Sequence, residues 1–229
     1  MRPYLNNSPE AKNRMINKLI KNDVRMDAIL ILEELHYELI RSSSATDVLE
    51  KWCSKYTISK DTVQIKVKKV EEKKYFPNVA IKKRLKINDD NELHYRHVKL
   101  YCGKYALSEA KNWYVPNRLT PEINYSLANT IIPFGKLIKE LSPRRINIEA
   151  KFFFESQFDN IIKIENESKP LALSNLFNEE MNMPRCLFRH KALIYSDKGL
   201  PISEVHETYL RDILMLINKQ PPTSLLDIK

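Results

Sequence analysis

An arginine on the apolar face of a strand is costly unless a carboxylate answers it, and this sequence contains one. In E-L-H-Y-R-H-V-K-L-Y-C, residues 92–102, strand alternation places Arg96 on one face with Val98, Leu100 and Cys102. Leu93, Tyr95, His97, Lys99 and Tyr101 take the other face. In P-I-S-E-V-H-E, Glu204 falls on the face of Leu200, Ile202 and His206. Arg189, in L-F-R-H-K-A-L-I-Y, is a further strand-borne cation. An inward arginine and an inward glutamate in one sheet are the ingredients of a site for a small anionic ligand. The arginine would bind a carboxylate through two charge-assisted hydrogen bonds. A glutamate whose pKa is raised by burial would serve as general acid or base. The same two residues also fit a structural ion pair across strands, and their spacing leaves both readings open.

Other chemistries find little support. The five histidines, His36, His94, His97, His190 and His206, form no close ligand spacing, and His94 and His97 lie on opposite faces of one strand, so no metal is expected. There is no G-x-S-x-G nucleophile turn. The three glycines, Gly103, Gly135 and Gly199, cannot make a glycine-rich phosphate loop. Cys53, Cys102 and Cys186 are odd in number, far apart and in no C-x-x-C spacing. Neither a disulfide framework nor a zinc ribbon is indicated, and a reduced cytoplasmic protein is the expectation. The formal charge of +9 comes from 38 basic and 29 acidic residues. Its lysines are dispersed, densest over residues 65–86, and read as a solvated face rather than a nucleic-acid footprint. No apolar run approaches the ~20 residues that span a bilayer, and the polar start M-R-P-Y-L-N-N-S-P-E is not a signal peptide.

The elements that must position these residues follow from periodicity. Residues 8–41 read as helical, with Ile31, Leu32, Leu35 and Leu39 in one stripe. A further helix starts at the cap Ser44, in S-A-T-D. Val63, Ile65 and Val67 alternate as a strand, residues 78–88 read as weakly extended or a turn, and 142–145 as a loop. Two runs joined at Gly103-Lys104 make a hairpin, and two more are joined through Ser196 to Gly199. Thr120-Pro121 starts a short helix, residues 146–154 alternate as a strand, and 210–218 read as helical. Residues 159–173 are polar and poorly patterned, and 171–178 suit a helical turn. The sum is an α+β chain with a single antiparallel sheet of about six strands flanked by helices. The expected division is a helical N-terminal extension over residues 1–43, packing on an α+β domain over 44–229.

In order along residues 44–210 stand S-A-T-D-V-L-E-K-W, Y-R-H-V-K-L-Y-C-G, A-K-N-W-Y-V-P-N-R-L, P-F-G-K-L-I and R-H-K-A-L-I-Y-S-D-K-G-L-P-I-S-E-V. This succession resembles the chorismate pyruvate-lyase family, in a branch carrying N-W-Y-V-P. The resemblance implies a six-stranded antiparallel sheet, a pocket closed by helical flaps, and no cofactor. It implies elimination of pyruvate from chorismate to give 4-hydroxybenzoate. Arg96 would grip a substrate carboxylate and Glu204 would transfer the proton that breaks the enolpyruvyl ether. The family's second arginine corresponds to Asn112 here, with Arg118, Arg189 or Lys111 as further candidate substrate contacts. The same fold resembles small-molecule sensing domains of bacterial transcription regulators, although no basic recognition helix is evident. The leading expectation is therefore a chorismate lyase-like enzyme. The alternative is a non-catalytic binder of a small anionic aromatic ligand, and a nucleic-acid-associated basic protein is a distant third. The expected partner is a small anionic aromatic or cyclic carboxylate.

Overall fold

The first hairpin is closed by the two-residue turn Gly103-Lys104, where Gly103 takes φ +57°, a conformation that a residue with a Cβ adopts only under strain. The computed structural model describes residues 30–57, 64–71, 77–89, 92–153 and 184–217. Strand β1 (Lys66–Lys69) leads to β2 (His94–Cys102) and β3 (Tyr105–Tyr114). Strand β4 (Arg144–Phe152) precedes β5 (Cys186–Tyr195) and β6 (Pro201–Leu210). Among the described residues these form one six-stranded sheet in the order β1-β2-β3-β6-β5-β4. Every neighbouring pair is antiparallel. The α+β class with a single antiparallel sheet is what the alternation of the sequence specifies. Gly199, at φ +74°, closes the β5–β6 hairpin.

The two sheet faces are covered unequally. One carries α1 (residues 30–41), α2 (Ala45–Tyr56), α4 (Pro121–Asn129), α5 (Phe134–Leu137) and α6 (Asp212–Ile217). Leu32, Leu35 and Leu39 of α1 join Leu49 and Trp52 of α2 and Phe188 and Tyr209 of the sheet in the larger apolar core. Polar ties hold α1 down as well. Asn147 Nδ2 donates to the Ile40 carbonyl at 2.7 Å, and Trp52 Nε1 donates to Glu38 at 3.0 Å. The opposite face is covered by α3 (Val79–Leu85), whose Ile81 and Leu85 form a smaller core with Leu93, Trp113, Val115 and Leu193.

Three local expectations are corrected. Residues 79–85 form α3 rather than an extended run, because Asn78 caps the helix by accepting from the Ile81 N–H at 2.9 Å and Ile81 and Leu85 lie one turn apart. Arg144 and Arg145 open β4 instead of ending a loop. Cys53 and Cys102, distant in sequence, are joined as a disulfide with Cα atoms 5.8 Å apart, because α2 lays its last turn over the end of β2. The helix expected over 8–29, the segments 159–173 and 171–178, and the end of the chain from 218 lie outside the described residues.

Candidate functional site

Strand register builds the site. Arg96 stands opposite Asn112, Asn112 opposite Val205, and Val205 opposite Ala192, so one row of side chains crosses four strands on the helix-covered face. The next row is Val98, Ala110, Glu207 and His190. Above these rows lies a cavity of about 60 Å³, bounded by the start of α2 (Ser44, Thr46) and by Pro133, Phe134 and Gly135. A Cβ at Gly135 would stand 3.3 Å from both Ser44 Oγ and Thr46 Oγ1, a tight contact that either side chain would have to ease. Thr46 is buried in the second position of α2, where helix geometry leaves the N–H without an intrahelical partner.

Two residues in this cavity hold hydrogen-bonding capacity that the protein does not use. Arg96 is 7% exposed, and its Nη2 donates to the Ile132 carbonyl at 3.0 Å. Among the described residues its Nε and Nη1 have no partner, and neither do Nδ2 and Oδ1 of Asn112, which is 4% exposed. Burial lowers the Arg96 pKa from its ordinary value, yet an arginine stays charged. The expense of an unanswered buried guanidinium, evident already from the sequence, is real in the fold.

Beside them a complete ion pair crosses from β4 to β6. Arg145 Nη2 and Nη1 donate to Glu207 at 2.5 and 3.3 Å, and Tyr209 donates to the same carboxylate at 3.1 Å. Burial pushes the Glu207 pKa up, but the Arg145 charge and hydrogen bonds outweigh it, so the carboxylate is held below its ordinary value. Neither residue stood out in the sequence. A usable signal was the parity of S-E-V-H-E, where Glu204 and Glu207, three apart, must take opposite faces.

Glu204 is on the other face. It lies opposite Trp113 and Leu193, beneath α3, fully buried. Arg84 Nε and Nη2 grip its carboxylate at 2.8 and 2.7 Å, and His206 Nε2 lies 2.8 Å away. Its pKa is lowered rather than raised, since hydrogen bonds from His206 and Arg84 overcome the upward push of burial. The structure thus does not bring Glu204 and Arg96 together, and the sheet stands between them. Arg189 also faces away from Arg96. It lines a separate pocket of about 180 Å³ with Glu109, Lys111, His206 and Thr208, its guanidinium 5.2 Å from the Phe153 ring. Arg118 donates to the carbonyls of Leu85 and Pro201 at 2.6 Å each, and to Lys86 at 3.1 Å, which caps the end of α3. Of the six residues singled out in sequence, Arg96 and Asn112 meet in one cavity. Among the described residues no group of three His, Cys, Asp or Glu side chains is placed to hold a metal.

Behind Glu207, His190 Nε2 and His36 Nδ1 share a hydrogen bond at 2.9 Å that ties α1 to β5. Burial is the main force on both rings; it lowers His190 to about 4 and lowers His36 as well. Glu207 pulls His190 upward, while His36 and Arg145 push it down. A histidine depressed in the fold binds its proton in the unfolded chain first, so it removes stability as pH falls. The loss begins near pH 6.5 and is complete near the folded value of about 4. His190 alone should account for about 3 kcal/mol over that window. Urea titrations at pH 7 and pH 4.5 measure it. His190→Gln, which keeps a partner for His36, should flatten the difference, and an unchanged slope would assign it to other groups.

The fold and its cavity define an α+β protein whose antiparallel sheet floors a buried polar site. Within that class the chain belongs to the family of y4mC, an uncharacterized protein of Sinorhizobium fredii (strain NBRC 101917 / NGR234). The two are 33% identical over 190 residues, 83% of this chain and 78% of that protein. No family model matches the chain. Solved structures similar to parts of it include the effector domain of PhnF from Mycobacterium smegmatis. It is 9% identical, covers 73% of this chain and 88% of its own, and has a TM-score of 0.46. Another is the possible transcriptional regulator YydK from Bacillus subtilis, 13% identical, with a TM-score of 0.37 over 64% of this chain and 58% of its own. These scores mark partial overlap, so function is argued from the cavity itself. Among the described residues no helix is long and apolar enough to cross a membrane.

Proposed function

We propose that the chain is a non-catalytic binding protein for a small carboxylate ligand, held by Arg96 and Asn112 under the start of α2. The observation that carries this reading is the pair of buried side chains whose Nε, Nη1, Nδ2 and Oδ1 atoms have no partner among the described residues. Buried polar atoms are normally answered, and a ligand carboxylate against Nε and Nη1 answers the arginine with charge-assisted bonds. Val98, Leu100, Ile194 and Val205 offer apolar contact to the rest of the ligand.

Elimination of pyruvate from an enolpyruvyl ether asks more than binding. A proton-transferring group must lie within hydrogen-bond reach of the reacting atoms. Glu204 is separated from Arg96 by the sheet and engaged by Arg84. Glu207 does line the cavity, but Arg145 holds it as a carboxylate. Binding without turnover therefore has the better physical support.

The test pairs two measurements on one preparation. Calorimetric titration with lactate and with 4-hydroxybenzoate should show saturable binding of at least one of them, and incubation with chorismate should release no pyruvate above the uncatalysed rate. Glu204→Gln should leave the affinity unchanged, because the substitution lies across the sheet. Pyruvate release that disappears in Glu204→Gln would instead establish the lyase.

A further inference from the structure

We infer that the ligand of this cavity is a singly charged acid that also carries a neutral hydrogen-bonding group, and that Asn112 enforces this by leaving a second negative charge uncompensated. The inference rests on the binding reading above and adds the ligand's charge and polarity to it.

The argument starts from the charges that line the cavity, which are Arg96, Arg145 and Glu207. Arg145 and Glu207 satisfy one another through two hydrogen bonds, at 2.5 and 3.3 Å. One positive charge remains, on Arg96. The start of α2 adds little to it. Ser44 Oγ already accepts from the Asp47 N–H at 3.2 Å, and the Asp47 carboxylate in the first turn offsets the helix dipole. One ligand carboxylate therefore brings the site to neutrality. A second would be desolvated beside an asparagine, with no cation to meet it, and that is strongly unfavourable.

Asn112 asks for something else. Its amide presents two N–H donors and an acceptor, all unused. A hydroxyl, amide or carbonyl on the ligand can complement both ends. A carboxylate can take the N–H groups but repels Oδ1. Because Arg96 and Asn112 are direct cross-strand partners, their Cβ atoms lie about 5 Å apart. The charged and the neutral groups of one small molecule can therefore reach both.

Size constrains the probes. The cavity of about 60 Å³ is well below the roughly 150 Å³ of a cavity that takes benzene. A compact acid fits as the site stands. A ring needs a wall of the cavity to give way, and Pro133 on one wall follows Ile132, whose carbonyl Arg96 holds. Two matched pairs cover both cases: lactate with malonate, and 4-hydroxybenzoate with terephthalate. Within each pair the size is similar and the charge differs by one.

The experiment is calorimetric titration of the full chain with all four acids at neutral pH. In each pair that binds, the monoanion should be tighter by about 10-fold or more. Asn112→Arg, which supplies a second cation, should reverse the order. Should that variant fail to fold, Asn112→Leu serves. It keeps the cavity charge and removes the amide, so 4-hydroxybenzoate should lose its advantage over benzoate, and lactate over propionate. Dianions as tight as monoanions in the unaltered chain, or an Asn112→Leu variant that keeps the advantage, would overturn the inference and leave the binding reading standing. No saturable binding of any of the four acids at millimolar concentration would overturn the binding reading itself, and this inference with it.

Discussion

Replacing Arg96 with methionine should abolish carboxylate binding and leave the fold at least as stable as before. Truncating one partner of a buried charge pair costs a ligand about 2–5 kcal/mol, so affinity should fall by about 100-fold or more. Most buried charged residues behave in the opposite way when removed, because their removal strands a partner. Arg96 strands almost nothing. Among the described residues its single hydrogen bond is to the Ile132 carbonyl, on a residue 40% exposed, where water can substitute. Two of its nitrogens already lack a partner among the described residues. Methionine fills similar space without a charge to desolvate, so the urea midpoint should stay level or rise by the equivalent of about 1–2 kcal/mol. Circular dichroism against urea and calorimetry on the same variant check the two halves. A large loss of stability would identify Arg96 as a structural residue and remove the main support for a site here.

Arg145 and Glu207 should behave in the contrary manner. Either Arg145→Met or Glu207→Gln should cost about 3–5 kcal/mol, since each leaves an uncompensated buried charge. Among the described residues the basic neighbour left to the carboxylate is His190, and burial holds that ring neutral at pH 7. The Arg145 side chain is 3% exposed and that of Glu207 11%, so water cannot rescue the orphan. Combining the two substitutions should recover most of the loss, because the double variant buries no charge. Gln at 207 still accepts from Tyr209, which donates to this carboxylate in the native fold. Denaturant titrations of the two single variants and the double variant form the cycle that measures this. Purely additive costs would show that the pair is not coupled. Against a total stability of about 5–15 kcal/mol, either single change is severe.

The contrast explains what could be read from the sequence. Arg96 was legible because β2 alternates plainly, with apolar residues and the arginine on one side and tyrosines, histidine and lysine on the other. Parity along one strand was enough. Glu204 was misplaced because β6 is buried on both faces over residues 201–205, so being inward does not say which face. Register decides it. Trp113 lies opposite Glu204 and Ala110 opposite Glu207, and register between strands almost a hundred residues apart is a tertiary property. Arg145 was hidden for a different reason, since S-P-R-R reads as a turn until the edge strand it opens is seen. The α3 helix was recoverable. Asn78 as cap and the Ile81 to Leu85 spacing are local signals, overlooked amid the lysines around them. The Cys53–Cys102 bond was not recoverable, because it depends on how α2 crosses the end of β2.

The sheet order carries a consequence for how the protein assembles. Strands β2 and β3 form a local hairpin, as do β5 and β6, and the two hairpins meet only along β3 and β6. Loop-closure entropy makes that central seam the slow, non-local step of folding. The cavity straddles the seam, with Arg96 and Asn112 contributed from one side and Val205, Glu207 and Ile194 from the other. Neither hairpin alone presents a complete site, so a ligand recognises only the docked chain and by mass action draws the two halves together. Occupancy should therefore register as slower global unfolding, with the seam as the part of the molecule that a bound acid holds shut.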